Sequence, residues 1–429
     1  MVNPMIMRTL KYLLVFSLAL AAFDADARPG PAKESAERTI AAVLDPYVTD
    51  GQLAGYVTIL MKDGKPVATN VKGYADIATT RPLTKDSIFR IFSMTKPVTG
   101  AALMILHDRG KWKFSDPIAK FLPELANLRV YRSVDAAGNL VSAPAGVQPT
   151  MGQLVTHTAG FIYGFGATPV DREYQKHIPL LPTTDEASTY LAELAKIPLA
   201  YEPGTQWQYS ISMDLEGIII ARLSGKSLQA FMKAEIFDPL GMVGTDFVVP
   251  PEKRDRFVTL YDMQAGKLTP ITTGPFAGTY AETPVMASGG GGLVSTASDY
   301  AHFASMLLNG GSLNGRRILS RRATKTMMAS HLPPALVTGG YGIGIQQIRP
   351  GYEFGVNGAV VTDPAKAKVA MGKGSYSWDG AAGTWFWVDP ANKVVFVGMI
   401  QRLMGPGGPN MQDTSQRAVA GSYGWLGVR

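Results

Sequence analysis

Apolar and polar positions change period along this chain in a way that outlines its layers. Residues 35 to 48 carry apolar side chains at helical spacing. Residues 56 to 76 (YVTILMKDGKPVATNVKGYAD) instead alternate, with Asp63-Gly64 between two β-rich runs, the signature of a hairpin. A helix is predicted from about Ser93 to Arg109. From roughly 110 to 335, helical patterns (183 to 196, 212 to 224, 227 to 235, 298 to 309) are separated by long connections containing Pro and Gly. Strand patterns return at 341 to 348, 383 to 389 and 393 to 400, and 411 to 426 reads as a closing helix.

Strands near both ends with a helical middle predict an α+β fold. Its antiparallel sheet comes from about 35–110 and 335–429, flanked by helices, with a helical region of about 111–334 inserted between them. At 429 residues, 46% hydrophobic and 17% charged, the chain can bury a large core. No repeat breaks it into smaller units.

The N-terminus has a separate character. Arg8 and Lys11 precede an apolar run over residues 12 to 22, and Ala25-Asp26-Ala27 offers a small-x-small cleavage site. This predicts a signal peptide over 1–27, a mature domain over 28–429 and release into a periplasm or the medium. The apolar run falls well short of the roughly 20 residues that span a bilayer. With no cysteine, the chain has no residue to carry a bacterial lipoprotein's lipid, so no stable membrane anchor is expected.

The same lack of Cys removes thiol nucleophiles, disulfides and thiolate metal sites. The five His (107, 157, 177, 302 and 331) show no HxH or HxxxH spacing, and no metal or other cofactor is expected. A formal charge of +7 could point to nucleic acid, but Lys and Arg are scattered among acids. The cluster Arg316-Arg317 and Arg321-Arg322 is interrupted by apolar residues. A solvated basic surface accounts for this charge without a nucleic-acid partner. Gly289 to Gly292 lacks the Lys-Ser/Thr that would make it a phosphate cradle.

Chemistry enters at Ser93-Met94-Thr95-Lys96. Three residues apart on a helix, hydroxyl and amine share one face. A serine must lose its proton as it attacks, and a lysine of lowered pKa can take it. The SxxK pattern occurs once here, but chance alone supplies about one match in such a chain, so context decides. Were Ser93 merely a helix cap, Glu or Gln would be favoured at the third helical position. Lys96 stands there instead, against the positive end of the helix dipole. A lysine wanted neutral fits that field, and the Ser93 N–H at the helix start could bind an oxyanion. A Ser-acid-His triad is excluded: the chain has no GxSxG, and Ala420-Gly421-Ser422-Tyr423-Gly424 has no His after it.

These residues resemble the serine β-lactamase-like hydrolases, most closely the family VIII carboxylesterases that are similar to class C β-lactamases, over about residues 40 to 400. Residues 88 to 108 (IFRIFSMTKPVTGAALMILHD) resemble the nucleophile helix, Thr156-His157-Thr158-Ala159-Gly160 the HTxG loop, and GGGGLVSTASDY from Gly289 the glycine-rich run leading into a helix. Tyr209-Ser210-Ile211 resembles the YSx form of the tyrosine motif, which implies Tyr209 as a general base shared with Lys96. Trp378-Asp379-Gly380 stands where esterases carry Trp-x-Gly, and the resemblance implies an oxyanion hole from the backbone N–H groups of Ser93 and Ala381.

Two departures bear on substrate. There is no KTG, and Ile211 replaces the asparagine of YxN, so a grip on a lactam carboxylate is missing in its usual form. Asp379 would also repel an anion if it faces the pocket. Trp378, Asp379, Gly380 and Phe161 are therefore expected to bind substrate. Nearby Tyr163, Phe165 and Trp207 suit a compact apolar group. The expected reaction is hydrolysis of a small-molecule carboxylic ester with a small acyl group, through an acyl-enzyme on Ser93. A class C β-lactamase or D-Ala-D-Ala peptidase, and a non-catalytic protein that binds peptidoglycan fragments or penicillin, are the alternatives. His157 is expected to organise its loop.

Overall fold

The computed structural model describes residues 31–181, 186–336, 350–403 and 410–423. Its centre is an eight-stranded antiparallel sheet. The first strands, β1 (Gly55–Lys62) and β2 (Lys65–Asp76), form the predicted hairpin, with Asp63 and Gly64 both at positive φ in its two-residue turn. A short β3 (Arg81–Pro82) completes this side. The chain supplies the remaining strands more than 250 residues later: β4 (Tyr352–Phe354), β5 (Ala359–Val361), β6 (Tyr376–Asp379), β7 (Trp385–Asp389) and β8 (Val394–Met399).

The spatial order is β4-β5-β6-β7-β8-β1-β2-β3. The two ends of the chain therefore meet where β8 pairs with β1, from Val57 opposite Met399 to Lys62 opposite Val394. Every residue of β8 is buried, which explains why VVFVGM reads as a continuous apolar run rather than an alternation. The run predicted at 341 to 348 and the leader over 1–27 lie outside the described residues.

Helices cover both faces. On one side α1 (Pro31–Thr49) packs against β2 and against the closing helix (Met411–Ser422). On the other, the helix Ala297–Leu308 packs directly on β1, β7 and β8. That helix falls within the span expected to be a separate helical insertion, yet its Tyr300, Phe303 and Met306 side chains belong to the sheet's core. Periodicity identified the helix but not which neighbour receives its apolar face. The middle region also contains two hairpins not read from sequence, Arg129–Val134 with Leu140–Pro144 and Tyr261–Gln264 with Lys267–Pro270.

Helix α2 (Thr95–Asp108) packs against α3 (Ser212–Ser224), and the Phe92–Met94 turn that leads into it meets β6. Its residues Thr95 to Leu106 are all buried, including Lys96. This placement brings the SxxK segment, the Tyr209 segment and the end of β6 to one point.

Candidate active site

Ser93 lies in a single 3-10 turn, Phe92–Met94, that feeds α2. Its side chain caps neither the turn nor the helix. Phe92 just before it is held at φ 39°, a conformation that costs a side-chain-bearing residue about 1–3 kcal/mol. The ring of Phe276 meets Phe92 edge-on at 5.5 Å, and Met94 N–H donates to the carbonyl of Ile91 at 3.0 Å. Within this tightly held turn, Ser93 remains half-buried while Phe92 and Met94 are closed off.

Lys96 Nζ stands 3.3 Å from Ser93 Oγ. It also lies 2.9 Å from the Tyr163 hydroxyl and 2.6 Å from the Gly290 carbonyl oxygen. The residue has no solvent exposure. Burial pushes its pKa down to about 7, against the pull of the Asp214, Glu216 and Asp379 carboxylates. The lowered basicity anticipated from the helix field thus follows here from desolvation.

Tyr209 also borders Ser93. Its hydroxyl accepts from Trp378 Nε1 at 3.4 Å. Burial holds its phenol well above the ordinary range, and Asp379 and Asp214 push the same way, so Tyr209 stays protonated near neutrality. The Lys96 amine lies 4.5 Å from the centre of the Tyr209 ring. Tyr163, Tyr209 and Trp378 form a continuous aromatic wall, with centroid spacings of 5.2 and 5.5 Å.

His157 is the loop organiser expected of it. Its Nδ1 accepts from the Ser210 N–H at 3.2 Å and lies 2.9 Å from Ser210 Oγ, while its carbonyl accepts from Gln208 N–H and the Tyr201 hydroxyl. The HTxG loop and the Tyr209 segment are fastened together through it. Burial keeps the imidazole well below its usual pKa, and therefore neutral.

The end of β6 docks onto the nucleophile segment. A Cβ on Gly380 would come within 2.3 Å of the Ile91 carbonyl oxygen and 2.4 Å of Thr384 Oγ1, so this approach requires glycine. Thr384 Oγ1 donates to Ile91 O at 3.3 Å, and Gly380 N–H to Thr384 O at 2.7 Å. Ala381 follows immediately and packs in one apolar cluster with Phe92. Trp378 is buried against Tyr209, whereas Asp379 is exposed beside the centre.

Two expected pocket residues sit elsewhere. Phe161 and Trp207 are 1% and 0% exposed and pack into the main core, so neither offers a face to a substrate. Tyr163, two residues after Phe161, reaches Lys96 instead, and Phe165 stacks on it from the exposed side.

Sequence reasoning did not single out the polar frame behind Lys96. Asp214 on α3 accepts from Ser288 Oγ at 2.6 Å and from Gly290 N–H at 3.1 Å, fixing the turn whose carbonyl meets the lysine. Asn357 Nδ2 donates to the Lys96 carbonyl at 3.1 Å and to Glu216 Oε2 at 2.6 Å. Burial pushes Glu216 up to about 8. The available signal was Asp214 and Glu216 standing in the otherwise apolar run SMDLEGIII, because acids are rarely buried without partners.

Comparison with known proteins agrees with this geometry. The sequence model of the family described as Beta-lactamase matches residues 40–420. The chain belongs to the beta-lactamase family. Protein Rv1367c of Mycobacterium tuberculosis is 36% identical over 378 residues, covering 87% of this chain and 90% of its own. Esterase EstB of Burkholderia gladioli is 29% identical over 368 residues, covering 82% and 86%. Among solved structures, EstCE1, described as a hydrolase with promiscuous acyltransferase activity, superposes with a TM-score of 0.75 at 23% identity, over 90% of this chain and 99% of that one. Within the beta-lactamase family, this chain therefore has esterase relatives and shares its fold with a hydrolase.

Proposed function

We propose that the protein hydrolyses carboxylic esters through an acyl-enzyme on Ser93. The observation that carries this reading is the position of Ser93 Oγ 3.3 Å from a buried amine of lowered basicity, with a protonated phenol beside them. A neutral amine has two N–H groups and one lone pair. With Gly290 O and Tyr163 OH taking the two N–H groups, the lone pair is left for the Ser93 hydroxyl proton.

Ser93 Oγ attacks the ester carbonyl carbon as its proton passes to Lys96 Nζ. The oxyanion accepts hydrogen bonds from the Ser93 and Ala381 N–H groups. Collapse breaks the C–O bond to the alcohol, which receives the proton from Lys96 by way of the Tyr209 hydroxyl. Water then attacks the acyl-Ser93 carbonyl, giving up its proton along the same route; the bond from the carbonyl carbon to Ser93 Oγ breaks, Lys96 returns the proton to Oγ, and the acid is freed. Lys96 is the base and Tyr209 the relay, because their pKa values are pushed in opposite directions. Trp378 orients the Tyr209 hydroxyl. Export directed by the 1–27 leader belongs to the same reading.

Exposed Asp379 makes the mouth of the site unfavourable for an anion, which supports neutral esters over lactams that carry a carboxylate. The aromatic wall lines the reacting centre with apolar surface. Turnover of a short-chain aryl ester and of a chromogenic cephalosporin by wild type and Ser93→Ala tests the reading. Fast ester hydrolysis and feeble cephalosporin turnover, both lost in the variant, are expected. Dominant cephalosporin turnover would make the protein a β-lactamase, and activity surviving in the variant would displace Ser93 as nucleophile.

A further inference from the structure

The turn at Ser288–Gly292 borders two spaces. Gly290 directs its carbonyl to Lys96, while Ser288 and Gly292 form part of the wall of an adjoining cavity of about 550 Å³. The size lies within the range of about 300–1,000 Å³ usual for small-molecule sites. Much of the remaining lining comes from residues between Gly274 and Pro284, with Leu181 and Phe247 completing it. Glu282, exposed, is the one charged side chain among the described lining residues.

The Gly274–Pro284 run has no helix or strand of its own and is held at discrete points. Val249 N–H donates to Tyr280 O at 2.7 Å. Phe276 packs on Phe92, beside the nucleophile. Arg90 donates to Gly278 O from Nε at 3.3 Å and Nη2 at 3.0 Å, and from Nη1 to Val258 O at 2.9 Å. Its guanidinium lies over the Phe257 ring at 4.1 Å, and it is 7% exposed. No carboxylate pairs with it among the described residues. A buried cation satisfied by carbonyls and a ring face serves as a rigid strut, a task suited to a planar guanidinium. It stands three residues before Ser93 and so ties the cavity wall to the nucleophile segment.

We propose that this cavity receives a bulky, uncharged apolar group of the ester, and that Arg90 is the positioning residue that fixes its wall. The proposal rests on the Ser93 ester-hydrolase reading and adds a substrate class to it. Two ester series test it, one enlarging the acyl group from acetyl to cyclohexanecarbonyl and naphthoyl on a fixed phenol, the other enlarging the alcohol on a fixed acetyl group. In wild type, kcat/KM is expected to rise at least about tenfold with bulk in one series, which identifies the side of the ester that the cavity takes. Thr283→Trp, which fills the cavity from an exposed lining position, and Arg90→Met should each reduce that preference at least about fivefold, chiefly through KM. Flat or falling profiles in both series, or a preference that survives Thr283→Trp, would overturn the cavity assignment; a preference unchanged in Arg90→Met would remove the strut. Fluorophosphonate labelling of Ser93 reports separately on the reactive centre. Its failure in wild type would overturn the hydrolase reading itself.

Discussion

The carbonyl oxygen of Gly290 lies 2.6 Å from Lys96 Nζ, and this contact aims the amine. The turn holds that position because Asp214 receives the Gly290 N–H and the Ser288 hydroxyl. A Cβ at residue 290 would come within 2.9 Å of both Asp214 Oδ2 and Tyr163 OH. Gly290→Ala should therefore shift the lysine's partners and lower kcat/KM about 100-fold, the scale of an ångström-sized misplacement. Ester kinetics together with the melting temperature would separate this effect from unfolding.

The pH–rate profile follows from Lys96. With its pKa pushed down to about 7, the neutral base is lost as pH falls, so kcat/KM should drop below an acid limb near 7. Asp379 stabilises the ammonium form, so Asp379→Asn should lower the Lys96 pKa further and move that limb to lower pH. The same variant should raise relative turnover of an anionic ester such as a hemisuccinate. A limb that moves upward would contradict the assigned charge relationship.

The two tyrosines should separate in kinetics. Tyr209→Phe removes the hydroxyl beside Ser93 and should cost at least about 100-fold in kcat. Tyr163→Phe removes one partner of the lysine and leaves the Ser93 contact in place, so its loss should be smaller. Single-turnover measurements on both variants check the order.

Gly380→Ala tests the strand edge. Its Cβ would collide with Ile91 O and push the segment bearing Ala381 away from Ser93. A loss of about 10²–10³ in kcat is expected, the effect of disabling one oxyanion donor.

The hairpin at Asp63-Gly64, the apolar strand Val394–Met399 and the SxxK spacing were legible because each is a local pattern with a physical cause. Ser93, Lys96, Tyr209 and Trp378 lie next to one another in the fold. What stayed hidden depended on contacts distant along the chain. Phe161 and Tyr163 are both aromatic and two residues apart, and the fold buries one in the core while the other reaches Lys96. Likewise, the sequence alone did not show that Asn357 would join Glu216 to the nucleophile helix, or that Arg90 would support a loop nearly 190 residues away. Asp214 and Glu216 left a trace as acids in an apolar helix, but their partners appear only in three dimensions.

Rapid quenching of the protein with a slowly hydrolysed aryl ester, followed by peptide mass spectrometry, tests for a covalent acyl-enzyme on Ser93. An added acyl mass is expected on the peptide containing Ser93, absent from Ser93→Ala and longer-lived in Tyr209→Phe. Ester turnover with no adduct on that peptide, or an adduct on another side chain, would contradict it.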